Sequence, residues 1–205
     1  MTEDEEFDEL PDEETLEKTV ENLEERGFEV SVAENGKEAL DEIRDLLPEG
    51  AEVFWGSSTT LTEIGFEEYV GEADLRNVKE EIWSIDDDEE REKARREAVT
   101  SEFFFGSVNA ISEDGEMVAA DMSGSRVGAY PYAAENLVLV SGTNKIVENL
   151  EKARERLFEH AYPQENERAQ EEYGIESRVA KEFTYRYEMT EGRTKVILIE
   201  ERLGF

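Results

Sequence analysis

The chain has 205 residues, the size of one domain, and 38% of them are apolar, enough for a core if they are segregated. Asp and Glu number 55 against 22 Lys and Arg, a formal net charge of −33. No basic stripe is present to release counterions from phosphates, which argues against nucleic-acid binding, and no apolar run reaches the roughly 18 residues of a membrane span. The absence of cysteine excludes disulfides, thiolate zinc sites, iron–sulfur ligation by this chain and cysteine nucleophiles.

Residues 1–11 read as an acidic flexible tail, and residues 12–205 as a single α/β domain. Leu16, Val20 and Leu23 recur at helical spacing across Glu13–Arg26, and Gly27 stops that helix. A short strand, Phe28–Ala33, leads through Asn35-Gly36 into a helix carrying Ala39, Leu40, Ile43, Leu46 and Leu47, ended by Pro48 and Gly50. Glu52–Gly56 is a buried strand. Ser58–Val70 reads as one helix, with Ser58 or Thr59 as N-cap and Glu63 placed for a capping box. Val78–Ile85 reads as a strand, Asp87–Ala98 as a charged helix, and Phe103–Ile111 as a strongly apolar strand. Asp114-Gly115 turns the chain into a return strand, Met117–Ala120. After Val127–Ala134, interrupted by Pro131, Leu137–Ser141 is another apolar strand. Asn149–His160 and Pro163–Tyr173 read as separate helices. Phe183–Met189 and Thr194–Glu200, joined by Glu191-Gly192, read as an antiparallel hairpin on the sheet edge. Strands alternating with helices imply βαβ units and a mainly parallel sheet.

High net charge with low hydropathy is also the signature of disorder, but 10 Phe, 7 Tyr and 2 Trp in compact apolar runs argue against it. The acid is spread along the chain rather than gathered in an interaction tail. It reads as adaptation to concentrated salt, where the Debye length falls to about 3 Å at 1 M and neighbouring carboxylates are screened from one another. The acidic start Met1–Leu10 does not read as a signal peptide, so a soluble cytoplasmic protein is expected.

Against this acidic background, uncharged windows are informative: Val53–Thr62, Phe103–Ser112, Val127–Ala134 and Asn136–Asn144. Their polar parts, Gly56–Thr60, Ser107–Asn109 and Ser141–Asn144, together with Ser123–Ser125, fall at strand ends, where open α/β sheets bind ligands. Arg126 and Lys145 abut these loops. With the backbone N–H groups of the helix start after Gly56, they would suit a carboxylate or phosphate. Neither GxxxxGK[ST] nor GxGxxG is present. The same residues also serve as ordinary turn formers, and Arg126 and Lys145 as ordinary ion-pair partners. The candidate ligand-binding set is Gly56, Ser57, Ser58, Thr59, Asn109, Gly124, Arg126, Asn144 and Lys145. Glu113 and Asp121 are candidates for a carboxylate base or nucleophile, although Asp114-Gly115 beside Glu113 equally fits a hairpin turn. His160 is placed at a helix C-terminus, where a cation is favoured. Phe103-Phe104-Phe105 is core. Tyr130 and Tyr132 either line a pocket or cap one. No metal site and no cofactor are expected.

These segments resemble a known family. Gly56-Ser57-Ser58-Thr59-Thr60-Leu61-Thr62-Glu63-Ile64-Gly65 is similar to a GxSxTLxExG segment, Asn109–Gly115 to NAITEDG, Asp121–Val127 to DxxGxRV, and Val140–Val147 to VxGxNKIV. All four occur, in this order, in the LUD family, the lactate-utilization proteins of the LutC type, and the terminal Leu203-Gly204-Phe205 fits as well. The resemblance implies a three-layer α/β/α sandwich of the sugar-phosphate isomerase and CoA-transferase kind, here with the hairpin appended. It also implies a part in oxidation of L-lactate to pyruvate beside iron–sulfur oxidoreductase subunits. Many relatives carry a cysteine cluster after the NKIV segment; Pro163–Lys181 has none. Three readings stay open: an accessory subunit binding a small anionic metabolite, an isomerase or acyl- or CoA-transferase-like enzyme using a carboxylate, and a scaffold without a small-molecule site. A homodimer is a candidate assembly.

Overall fold

The computed structural model describes residues 7–205. Helix α1 (Glu13–Glu25) starts at Asp12, whose carboxylate accepts the Thr15 N–H, and stops at Gly27 in the left-handed region (φ +88°). Strand β1 (Glu29–Ala33) leads through the N-cap Asn35 to α2 (Gly36–Leu46) and β2 (Glu52–Trp55). The segment 58–70 is two helices rather than one. Ser58 caps α3 (Thr59–Glu63), and Gly65, at φ +76°, breaks the chain before α4 (Phe66–Glu72). Glu63 forms no capping box; its carboxylate accepts the Gly204 N–H at 2.7 Å.

The expected strand over 78–85 is also a helix. Only β3 (Arg76–Asn77) is extended, and the Asn77 side chain caps α5 (Val78–Trp83). Val78 and Ile82 lie one helical turn apart and are both buried, a spacing that suits helix as well as strand in so short a run. After α6 (Asp88–Glu97), the expected strand 103–111 divides into β4 (Phe103–Gly106) and β5 (Ala110–Ser112), which belong to different sheets. Strand β6 (Met117–Asp121) returns antiparallel to β5. Helix α7 (Ser125–Gly128) continues into a π-helical turn, Ala129–Ala133, before β7 (Asn136–Gly142) and the short β8 (Ile146–Val147). Helix α8 (Leu150–Arg156) runs through a second π-helical turn, Leu157–Ala161, directly into α9 (Tyr162–Tyr173). His160 is therefore not at a helix end. It is buried within this run, 3.0 Å from Gln164 Nε2 and beside the Phe7 ring. Strands β9 (Lys181–Tyr185) and β10 (Thr194–Ile199) complete the chain.

Six parallel strands form the main sheet, in the order β1-β10-β7-β4-β2-β3. Both of its faces are covered, which is why its strands are apolar at consecutive positions. Val53, Trp55, Phe103, Phe105, Val138, Val140, Ile197 and Ile199 pack on one side with residues of α2, α3 and α4. Phe54, Phe104, Leu137, Leu139, Val196 and Leu198 pack on the other with residues of α1 and α5. This is the three-layer α/β/α arrangement. A second sheet, β8-β5-β6-β9, shares that second core through Ile111, Met117 and Ala119, and its outer face meets Ala153 and Leu157 of the long helix.

The terminal pair is not a hairpin. β10 lies inside the main sheet, parallel to both β1 and β7, while β9 pairs with β6 in the second sheet. The burial pattern explains this: Val196–Ile199 have no exposed surface, which an edge strand cannot achieve, whereas Lys181 and Glu182 of β9 are exposed.

The expected tail spans residues 1–11. Residues 1–6 lie outside the described residues, but Phe7 is buried and its carbonyl accepts the Arg156 Nε–H at 2.9 Å. The Asp8 carboxylate accepts Asn144 Nδ2–H at 2.7 Å. Among the described residues no helix is long and apolar enough to cross a membrane.

Candidate functional site

Strands β2, β4 and β7 are neighbours in the main sheet, so their carboxyl ends bring together loops far apart in sequence. Gly56–Thr60, Ser107–Asn109 and the turn Thr143–Lys145 meet there with the segment Leu203–Phe205 that follows β10. Together with the Asp121–Arg126 loop and α9 they border a cleft of about 800 Å³. Among the described residues, six Lys or Arg line it (79, 95, 126, 145, 168 and 178) against four Asp or Glu (67, 121, 165 and 172). That local balance contrasts with the chain's net charge of −33, although Lys79, Arg95 and Arg168 are paired with carboxylates.

Lys145 lies at its floor, 2% exposed. Its Nζ donates to Thr60 Oγ1 at 3.0 Å and to Ser107 Oγ at 3.3 Å, two hydroxyls and, among the described residues, no carboxylate. Burial, reinforced by the charges of Arg156 and Arg126, lowers the Lys145 ammonium to about 7. The close approach of residue 204 requires glycine: a Cβ there would stand 2.4 Å from Thr60 Oγ1 and 3.1 Å from Lys145 Nζ. The segment is tied down by the Leu203 N–H to Asn144 Oδ1 at 3.2 Å and by the Gly204 N–H to Glu63.

Arg126 bridges the two sheets, with Nη1 donating to Ser57 O at 3.1 Å and Nη2 to Ala120 O at 2.7 Å. Its stem fills the place a side chain at Gly56 would occupy, since a Cβ there would fall 2.2 Å from Arg126 Cγ. Behind the cleft, Arg156 is fully buried. It donates to Phe7 O and Asn109 O, while its Nη2 has no hydrogen-bond partner among the described residues. Burial lowers it to about 10, partly offset by Asp8, so it stays cationic at neutral pH.

The chain matches the LUD domain family over residues 16–199. It belongs to that family. Its fold resembles the crystal structure of a DUF162 family protein from Deinococcus radiodurans, with a TM-score of 0.55 at 10% identity, covering 91% of this chain and 96% of that one. No curated protein matches the sequence.

The LUD segments named from sequence converge unevenly. Ser57, Ser58, Thr59, Asn109, Asp121, Arg126 and Lys145 line the cleft, and Gly56, Gly124, Asn144 and Glu113 do not. Gly56 makes room for Arg126. Gly124, at φ +97°, permits the turn that carries Arg126. Asn144 clamps Asp8 and Leu203 rather than facing the cleft. Glu113 pairs with Lys18 at 2.9 Å, where it braces α1 against the β5–β6 turn.

Asp121 reaches the cleft, but its oxygens are occupied. They accept the N–H groups of Ser123 at 2.9 Å and Arg126 at 2.8 Å, and the Ser123 hydroxyl at 3.1 Å. Burial pushes its carboxyl up, but the Gly124 and Arg126 N–H groups and the Arg126 charge outweigh this and hold it below the usual carboxylate range. Such a group positions a loop and is a poor base. Tyr130 is core, its hydroxyl donating to Ser107 O at 2.9 Å, and Tyr132 is exposed; neither lines the cleft. Among the described residues no group of three or more His, Cys, Asp or Glu is arranged to hold a metal ion.

Sequence reasoning did not single out Thr60, Ser107, Gly204 or Arg156. The first two sit in the uncharged windows and Gly204 in the terminal LUD match. Arg156 carries no signal, being one charged residue in the run Glu151–Arg156.

Proposed function

We propose that this LUD protein is a lactate-utilization-type accessory subunit that binds a small 2-hydroxy or 2-oxo carboxylate in the cleft. One observation carries the reading: Lys145 is buried at the floor of the cleft and its polar partners are hydroxyls, so among the described residues its charge has no carboxylate contact of its own. A buried cation is stabilised when an anion supplies the missing partner. Arg126 adds charge at the rim, and the hydroxyls of Ser57, Ser58 and Thr59 offer orienting contacts. LUD membership supports the link to oxidation of L-lactate or a related 2-hydroxy acid. Electrons would have to leave through a partner, such as an iron–sulfur oxidoreductase subunit, because this chain has no cysteine to ligate a cluster. The net charge of −33 supports a cytoplasm of concentrated salt as the working environment.

Titration calorimetry in molar KCl with lactate, pyruvate and inorganic phosphate tests the reading. Saturable binding of a 2-hydroxy or 2-oxo acid, lost in the Arg126→Ala/Lys145→Ala double variant, is expected. Binding that survives both substitutions would place the anion elsewhere, and no binding of any ligand would favour a scaffold.

A further inference from the structure

We propose that the Lys145 amine adds to the C2 carbonyl of a 2-oxo acid in the cleft and holds it as a reversible imine. The inference rests on the anion-site reading above and names a covalent step within it. Besides acting as a point charge for anions, a buried lysine can serve as a Schiff-base nucleophile. Lys145 ends in such a buried position, between Thr60 Oγ1 and Ser107 Oγ. The backbone of Gly204 packs beside it, and both residues border the cleft.

The charged groups around the amine come from four elements. Arg156 on α8 and Arg126 on α7 oppose the ammonium form, while Glu63 at the end of α3 and Asp8 before α1 favour it. Burial tips the balance toward the neutral amine, with the midpoint near 7. At pH 7 the neutral fraction therefore exceeds that of an ordinary exposed lysine. A desolvated, neutral lysine is the form that attacks carbonyls.

In the addition, the nitrogen lone pair forms a bond to C2 and the carbonyl π pair moves to oxygen. A proton passes from nitrogen to that oxygen, giving a carbinolamine. The hydroxyl then leaves with a second nitrogen proton as one water, and the nitrogen lone pair completes the C=N bond. The Thr60 and Ser107 hydroxyls are placed to relay both protons. No oxidant or reductant is needed. A 2-hydroxy acid has no carbonyl at C2 and can bind only non-covalently, against the ammonium form.

The full-length protein is incubated at neutral pH in molar KCl with pyruvate and cyanoborohydride, then digested and mapped by mass spectrometry. A reduced pyruvyl adduct on Lys145, exceeding that on any exposed lysine, is expected, with loss of that adduct in Lys145→Met. Mapping of the unsubstituted protein decides the question even if the variant fails to fold. Parallel calorimetry with lactate and pyruvate separates the two levels. Binding of both with no adduct at Lys145 overturns the imine and leaves the anion site standing. Failure of both ligands to bind overturns the two together, and labelling confined to exposed lysines overturns the imine.

Discussion

The Lys145 Nζ donates to the Thr60 hydroxyl over 3.0 Å, although the two residues are 85 positions apart in sequence. This contact joins the turn after β7 to the start of α3, and it buries an amine whose ordinary value of 10.5 falls to about 7. Between these values the unfolded chain holds a proton that the folded chain has released, so stability rises with pH across that window. Below about 7 both states are protonated and the full cost of burying the charge is felt. Lys145→Met keeps the volume without the charge. Its melting temperature should exceed that of the unsubstituted protein at pH 6, and the gap should close as pH rises toward 10. Thermal melts at pH 6, 8 and 10 check this; a gap independent of pH would mean that the amine is not desolvated in the folded protein.

Gly56 and Arg126 form a second coupled pair. A methyl at position 56 would meet Arg126 Cγ at 2.2 Å and Cδ at 2.4 Å, so Gly56→Ala should swing Arg126 off Ser57 O and Ala120 O. A destabilisation of about 1–2 kcal/mol is expected from the overpacking, together with weaker carboxylate binding. Because the clash is with one side chain, Arg126→Ala should relieve it. The double variant should therefore be less destabilised than the sum of the singles, as measured by denaturant unfolding. Strict additivity would show that the cost at position 56 arises from backbone conformation.

Much of this geometry was legible because charge is so dense in the chain. Uncharged Gly56–Thr60, Ser107–Asn109 and Ser141–Asn144 stood out, and their places at strand ends followed from apolar runs that only doubly covered strands need. Lys145 and Arg126 were named from their adjacency to those loops. Strand order was not legible. The residues of β10 pair with β1 and β7, partners more than 50 residues away in the numbering, and no local pattern separates an interior parallel strand from half of a hairpin. Arg156 was hidden for a similar reason: Lys152, Arg154 and Arg156 are alike as letters, and only packing against Phe7 and Asn109 buries one of them. Glu113, named from a LUD segment, stands away from the cleft, where it pairs with Lys18 of α1.

Glu188 and Arg193 tie the β9–β10 connection together out of water, with side chains 6% and 10% exposed. Burial pushes the Glu188 carboxyl up, but donation from Tyr185, Thr194, the Thr190 N–H and Arg193 outweighs it, leaving the group at about 2. A carboxyl so lowered stabilises the fold above about 4.5, and that contribution is lost as pH falls toward 2. Glu188→Gln should cost about 3 kcal/mol at pH 7 by leaving Arg193 buried without its counter-charge. The difference from the unsubstituted protein should shrink as pH falls through that window. Urea unfolding at pH 7 and pH 3 in molar KCl checks the sign; an equal loss at both would assign the effect to packing.

The surface acids act oppositely to Glu188. Most carboxylates of the −33 chain have few cations to pair with, and at about 10 mM salt the Debye length reaches roughly 30 Å, so each repels many others. Dialysis to that ionic strength should unfold the protein, and return to molar KCl should refold it, as followed by circular dichroism. If repulsion is the cause, lowering the pH to about 5 at low salt should restore part of the fold. At that pH a sizeable minority, roughly a fifth, of ordinary surface Glu are protonated, while Glu188 keeps its charge. Rescue by KCl but not by mild acid would point to salt acting through apolar burial, and a cooperative fold unchanged at low salt would remove the case for salt adaptation altogether.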